Sequence, residues 1–219
     1  MEKNQMKINR SFLSGDLRAS VSETGEEGII EGYAIKFNEI TKIGNYFTES
    51  ITQGAIDEDT LRDVLFLTNH NSDRIPLARS RRNNKNSSLQ LKIDEVGLFF
   101  KAILDIKNNP SAQELYSAVK RGDITGMSFW MKVQSDTWSK LDSDLPHREI
   151  NMISQIPEIS AVNWPAYEGT EINARSNPDS LENDKIALDN AKSVTVETEQ
   201  QLEMRKKVLL FKVKNKIRR

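Results

Sequence analysis

Between Gly28 and Arg175 one stretch combines helical periodicity with helix end signals, and this limits the fold more than any other feature. Asn109-Pro110-Ser111 supplies an N-cap with proline at the first helical position. Ala112, Leu115, Tyr116, Ala118 and Val119 then fall on roughly one face, and Gly122 follows as a stop. Around it lie short alternating or apolar runs: Tyr33–Phe37, Tyr46–Glu49, Val64–Leu67, Met127–Val133, Arg148–Ile153 and Ile156–Val162. Leu89–Ile93 and Leu98–Leu104, joined by a turn through Asp94–Gly97, read as a hairpin. A short helix is expected around 57–62 and a loop from Ser135 to Pro146. One late helix among many strands excludes regular βαβ alternation. The expected fold class is α+β, mostly β, a mixed sheet or β-barrel with few helices.

Both ends differ from this body. Residues 1–27 are polar and read as an irregular arm. From about 176 to 219 the chain is dense in Glu, Lys, Asn and Asp, and residues 177–219 hold no Trp, Tyr, His or Gly. The basic, partly apolar stretch from Met204 to Arg219 suits either a solvated extension or a helix that docks on a partner. The expected organisation is therefore an arm (1–27), a central domain (28–175) and a charged tail (176–219).

Composition removes several kinds of chemistry. With no cysteine, disulfides, thiolate metal sites and cysteine nucleophiles are excluded. Two histidines, His70 and His147, are too few for a multi-histidine metal centre. No apolar run of signal-peptide length opens the chain, and none approaches the roughly 18 residues that span a bilayer. The expectation is a soluble intracellular protein. A net charge of -1 gives no bulk attraction to nucleic acid or an anionic membrane. Arg79, Arg81, Arg82 and the basic end from Arg205 are the residues a nucleic-acid reading would need.

A serine hydroxyl becomes a nucleophile only beside a base, which in turn needs a group to hold its ring. Ser128 lies in Thr125-Gly126-Met127-Ser128-Phe129-Trp130, where a serine is either the solvent-facing position of a strand or a nucleophile in an apolar setting. Trp130 excludes a Gly-x-Ser-x-Gly elbow. His70 ends the run Val64–Leu67, between Asn69 and Asn71, as a surface residue or a base. His147, in a polar segment after Pro146, reads as a surface residue. Glu158 sits among Ile156, Ile159 and Val162 on a strand that reads as buried, where a carboxylate needs a partner. Orienting a histidine and pairing with an arginine both satisfy it.

Several elements, in order, resemble the prohead (capsid-maturation) protease family of tailed phages, whose fold and site resemble the herpesvirus assembly proteases. They are Gly32-Tyr33-Ala34 with Phe37, Glu49-Ser50-Ile51, Gly54-Ala55-Ile56, Asn69-His70-Asn71, Gly97-Leu98, Gly126-Met127-Ser128-Phe129, and Glu158–Val162 with Asn163-Trp164-Pro165-Ala166. The resemblance spans about residues 28–175. It implies Ser128 as nucleophile, His70 as general base and Glu158 in the place of the second histidine of the herpesvirus enzymes. It also implies an oxyanion-hole amide near Ala166, because Pro165 has no N–H. Trp130 departs from the small residue that the family commonly carries two positions after the nucleophile.

The resemblance further implies a serine endopeptidase that needs no metal or organic cofactor. It would act in the host bacterial cytoplasm, inside the assembling procapsid. Major capsid protein, scaffold protein and the chain itself are the implied substrates, and a homo-oligomer is the implied state. An inactive relative serving as a scaffold or capsid-interaction protein is the alternative, with Trp130 as its best argument.

Overall fold

The computed structural model describes residues 7–13, 17–23, 25–82, 86–163, 182–194 and 203–207. Among these residues eleven strands form two sheets, with the helix α1 (Pro110–Arg121) between the ninth and tenth strands in the chain. The larger has the order β1 (Lys7–Leu13), β10 (Gly126–Ser139), β11 (His147–Val162), β5 (Phe47–Ile51) and β4 (Thr41–Ile43). In it β6 (Asp63–Thr68) also pairs with β11, and β7 (Ala78–Arg81) with β6. The smaller sheet has the order β2 (Arg18–Val21), β3 (Gly28–Lys36), β9 (Gly97–Leu104) and β8 (Leu89–Ile93). The fold is mostly β, with mixed and antiparallel pairing, and among the described residues neither sheet closes into a barrel.

The core lies between the sheets. Phe66 on β6 meets Phe100 on β9 with ring centroids 5.5 Å apart, and neither ring has any solvent exposure. Burying one such side chain contributes about 1.5–3 kcal/mol. The helix α1 adds Ala112, Leu115, Tyr116 and Val119 to this core. Its ends are those expected: Asn109 Oδ1 accepts from the Ser111 and Ala112 amides, and Gly122 closes the helix with φ of 79°. Gly97 permits a close strand approach, since a Cβ there would stand 1.9 Å from the Ile35 carbonyl oxygen.

Long strands replace several expected short ones. β11 runs unbroken from His147 to Val162, where two strands were expected, because its far edge changes partner along its length. Its first half pairs in parallel with β5 and its second half with β6. β10 continues to Ser139, so the connection to β11 is shorter than the expected loop. Residues 57–62 form turns rather than a helix: Asp57 Oδ1 accepts from both the Thr60 amide and its hydroxyl, and that local bonding competes with a helix too short to nucleate.

Parts of both end segments join the body. Within the arm expected to be irregular, β1 and β2 pair with β10 and β3. Residues 182–194 of the charged tail are helical and bury Asp184, Ala187 and Leu188. Of the stretch from Met204 to Arg219, only 204–207 are described, as helix.

Candidate active site

Three adjacent strands bring the expected residues together. Ser128 on β10 stands opposite Ser160 on β11, and Ser160 stands opposite Leu67 on β6. Glu158 lies two residues before Ser160, and alternation puts it on the same face. Beyond the last β6 rung, Thr68 opposite Ala161, the chain takes two consecutive left-handed residues, Asn69 (φ 51°) and His70 (φ 58°). Asn tolerates this region better than most residues, and backbone strain of this kind gathers at functional sites. The turn is held on β11: the Asn69 amide donates to the Ala161 carbonyl (2.9 Å), and the Asn163 amide donates to Asn69 Oδ1 (3.0 Å).

From there the turn carries the His70 side chain over β11 toward β10, two strand spacings from β6. Its Nδ1 lies 2.5 Å from Glu158 Oε1 and its Nε2 lies 2.6 Å from Ser128 Oγ. Glu158 is 6% exposed and Ser128 is fully buried. With an ionised Glu158, Nδ1 carries the proton, which directs Nε2 at the serine. Thus the partner that makes the buried carboxylate tolerable is the histidine rather than an arginine.

Ser160, fully buried, completes the network. Its hydroxyl donates to Glu158 Oε2 at 2.6 Å and accepts from the His70 amide at 3.1 Å. The main chain of His70 is thereby tied to Ser160 and its ring to Glu158, two residues of β11 that are themselves bonded. Nothing in the local sequence distinguishes this serine; its one signal is the two-residue spacing from Glu158, which puts both on one strand face. Trp130 stands opposite Glu158 in the β10–β11 ladder, and its ring lies 6.3 Å from that of His70, inclined by 24°. The indole therefore flanks the imidazole.

A second cluster adjoins Ser128. Arg10 on β1 pairs with Glu49 through Nε and, at 2.8 Å, through Nη2, and with Asp184 at 3.1 Å. Arg148, wholly buried, reaches Glu49 (3.3 Å), Asp184 (3.0 Å) and Asp136 (2.6 Å). Burial opposes the Arg10 charge, but Asp184 and Glu49 outweigh it and hold the guanidinium above its ordinary pKa. Burial also opposes ionisation of Glu49, and there Arg10 and Arg148 prevail and draw the carboxyl below its ordinary value. Asp184 is pushed up, by burial and by Glu49.

Of the other expected residues, His147 lies at the opposite end of β11, its ring nitrogens 2.9 Å from Thr48 Oγ1 and 3.1 Å from Ser50 Oγ. Arg79 is paired with Asp63 at 2.6 Å. Trp164, Pro165 and Ala166, with the expected oxyanion amide, lie outside the described residues. His70 also opens on a cleft of about 1170 Å³ between the chain after β6 and the start of α1. No group of acidic or histidine side chains among the described residues is arranged to hold a metal ion.

A hydroxyl, an imidazole and a carboxylate in this sequence have the geometry of a serine-hydrolase triad. The chain belongs to the caudovirus prohead serine protease family, whose model matches residues 16–184. It is 27% identical over 158 residues to the prohead protease of Enterobacteria phage HK97, covering 72% of this chain and 64% of that protein. The match thus spans just under two thirds of the relative's length. The structure of the bacteriophage T4 capsid assembly protease is similar over 74% of this chain and all of that one, with a TM-score of 0.46 and 11% identity.

Proposed function

We propose that this chain is a serine endopeptidase of phage capsid assembly. Ser128 is the nucleophile, His70 the general base and Glu158 the group that orients the imidazole. The observation that carries this reading is the continuous contact from Glu158 Oε1 through both ring nitrogens of His70 to Ser128 Oγ. Ser128 Oγ attacks the scissile carbonyl as Nε2 takes its proton, and Nε2 returns that proton to the leaving amine. The charge that develops on the ring is held by Glu158, itself steadied by Ser160. A backbone amide at Ala166 serves the developing oxyanion. Residues 28–175 form the protease unit, and the segment from 176 serves packaging and is later removed by self-cleavage.

The substrates are capsid and scaffold proteins, in keeping with the family and with the names of its relatives. Coexpression with the phage's capsid protein tests this. A shortened capsid protein is expected with the intact chain and a full-length one with Ser128→Ala. Equal shortening by both removes the reading.

A catalytically inactive relative that binds capsid protein is favoured by one observation, the complete burial of Ser128, on a strand whose edge is covered by β1. Labelling by a fluorophosphonate, lost in Ser128→Ala, separates the two.

A further inference from the structure

A main-chain carbonyl of the chain's own β1 lies against the nucleophile. β1 lies antiparallel along the outer edge of β10 with Ser11 opposite Ser128, and among the described residues β10 has no other neighbour on that side. Ser128 Oγ donates to the Arg10 carbonyl oxygen at 2.7 Å. The hydroxyl thus has one proton for two neighbours, that carbonyl and His70 Nε2. An extended segment laid on a sheet edge with a carbonyl at the nucleophile is the way a strand-adding peptide binds. No other chain can reach Ser128 from this side while β1 is in place.

The Arg10 side chain is seated as a substrate side chain would be. It enters a buried site between Glu49 of β5 and Asp184 of the 182–194 helix. Without Arg10, the buried carboxyls of Glu49 and Asp184 would face one guanidinium, that of Arg148, which Asp136 also engages. Buried charge without a partner is costly, so the vacated site demands a cation. A planar guanidinium matches a pair of carboxylates better than an ammonium does. The family match begins at residue 16, so β1 stands outside the matched body.

Building on the proposed function, we propose that β1 is the enzyme's first substrate. The chain cuts itself between Arg10 and Ser11, and Glu49 and Asp184 then form, for as long as the segment from 176 stays attached, the pocket that selects arginine on the acyl side of later cleavage sites. Ser128 Oγ adds to the Arg10 carbonyl carbon while its proton passes to His70 Nε2. The Arg10–Ser11 C–N bond breaks, and the proton goes to the Ser11 nitrogen, which becomes a new amino terminus. Water then cleaves the Arg10 ester, restoring the Ser128 hydroxyl and leaving the Arg10 carboxylate. Departure of residues 1–10 opens the β10 edge from Phe129 to Lys132, where Lys7–Arg10 had lain.

The test is the intact mass of the purified full chain, run beside fluorophosphonate labelling. A wild-type chain that begins at Ser11, with Ser128→Ala retaining residues 1–10, is the expected result. A chain that labels at Ser128 yet keeps residues 1–10 overturns this inference and leaves the proposed function standing. A chain that neither labels nor shortens overturns both. Trimming that persists in Ser128→Ala assigns the cut to another protease and overturns the inference. Fluorogenic peptides spanning Lys7–Leu13 test the pocket with the same enzyme. Cleavage at arginine should exceed that of the Arg10→Ala peptide by roughly a hundredfold, and Glu49→Gln should erode the difference. Equal rates for the two peptides remove the pocket.

Discussion

Ser160 Oγ donates to Glu158 Oε2 at 2.6 Å, while the carboxylate's other oxygen faces His70. The two side chains share one face of β11, so the strand fixes the carboxylate without help from solvent. In Ser160→Ala a buried carboxylate oxygen loses a charge-assisted hydrogen bond, worth about 1.5–3 kcal/mol. Turnover on a peptide substrate should fall by roughly tenfold to a hundredfold, mostly in kcat rather than KM. Ser160→Thr, which keeps the hydroxyl, should recover much of the loss. A Thr variant as slow as the Ala variant would show that packing, and not the hydroxyl, matters at this position.

Glu158→Gln is nearly isosteric and tests charge and tautomer rather than shape. On the proposed mechanism, the amide removes the negative partner of the imidazolium that forms as Ser128 attacks. Its NH₂ group also favours the ring tautomer that places hydrogen on Nε2, so the base is lost. The comparable change in a serine protease triad lowers kcat about ten-thousandfold, and a fall of roughly a thousandfold or more is expected here. Fluorophosphonate labelling of Ser128 should slow in parallel. A variant within tenfold of wild type would remove Glu158 from its assigned role.

Asn69 sets the direction in which His70 leaves β6. In Asn69→Ala the bond from the Asn163 amide is lost and a Cβ-bearing residue without a polar side chain is held at φ of 51°. Together these should cost about 1–3 kcal/mol in urea unfolding. Asn69→Gly keeps the backbone at ease and loses only the bond, so it should unfold later than the Ala variant. Both should be slower enzymes, because His70 follows directly. An Ala variant as stable as the Gly variant would mean that the left-handed turn carries no strain.

How far the sequence discloses this site depends on the range of each interaction. The helix α1 was legible end to end because its signals are local: a cap, a proline, a face of apolar residues and a glycine. Glu158 was legible as a carboxylate in need of a partner, yet pattern alone left histidine and arginine equal. The choice depends on β6 pairing in parallel with β11, across a long stretch of chain. Ser128 was harder, since Met127, Phe129 and Met131 are buried as well. A strand buried on both faces shows no alternation by which to orient its one hydroxyl. Only the resemblance to a family ranked Ser128 and His70 above ordinary surface residues. The charge cluster was hidden for another reason: Arg10, Glu49, Arg148 and Asp184 come from four distant segments, two of them the ends that polar composition marks as appendages. β1 becomes a strand because β10 offers it an edge and two buried carboxylates receive its arginine, and neither fact is written in residues 7–13.

Asp94 gives the fold a pH dependence whose sign can be worked out. Its Oδ1 accepts from the Val96 (2.9 Å) and Gly97 (3.1 Å) amides and its Oδ2 from the Tyr33 hydroxyl (3.0 Å), which closes the turn between β8 and β9. Partial burial opposes ionisation. The Gly97 and Val96 amides, the Tyr33 hydroxyl and Lys92 outweigh it and hold the carboxyl below its ordinary value. A group whose pKa is depressed on folding adds stability above its unfolded value, about 3.9, and that contribution fades as pH falls through the folded value. Asp94→Ala should therefore unfold about 1 kcal/mol more easily at pH 7, a figure that allows for the solvent reaching this turn. The gap to wild type should narrow as urea midpoints are followed from pH 7 to pH 3. A gap that holds steady or widens over that range would mean that the ionised carboxylate is not what secures the turn.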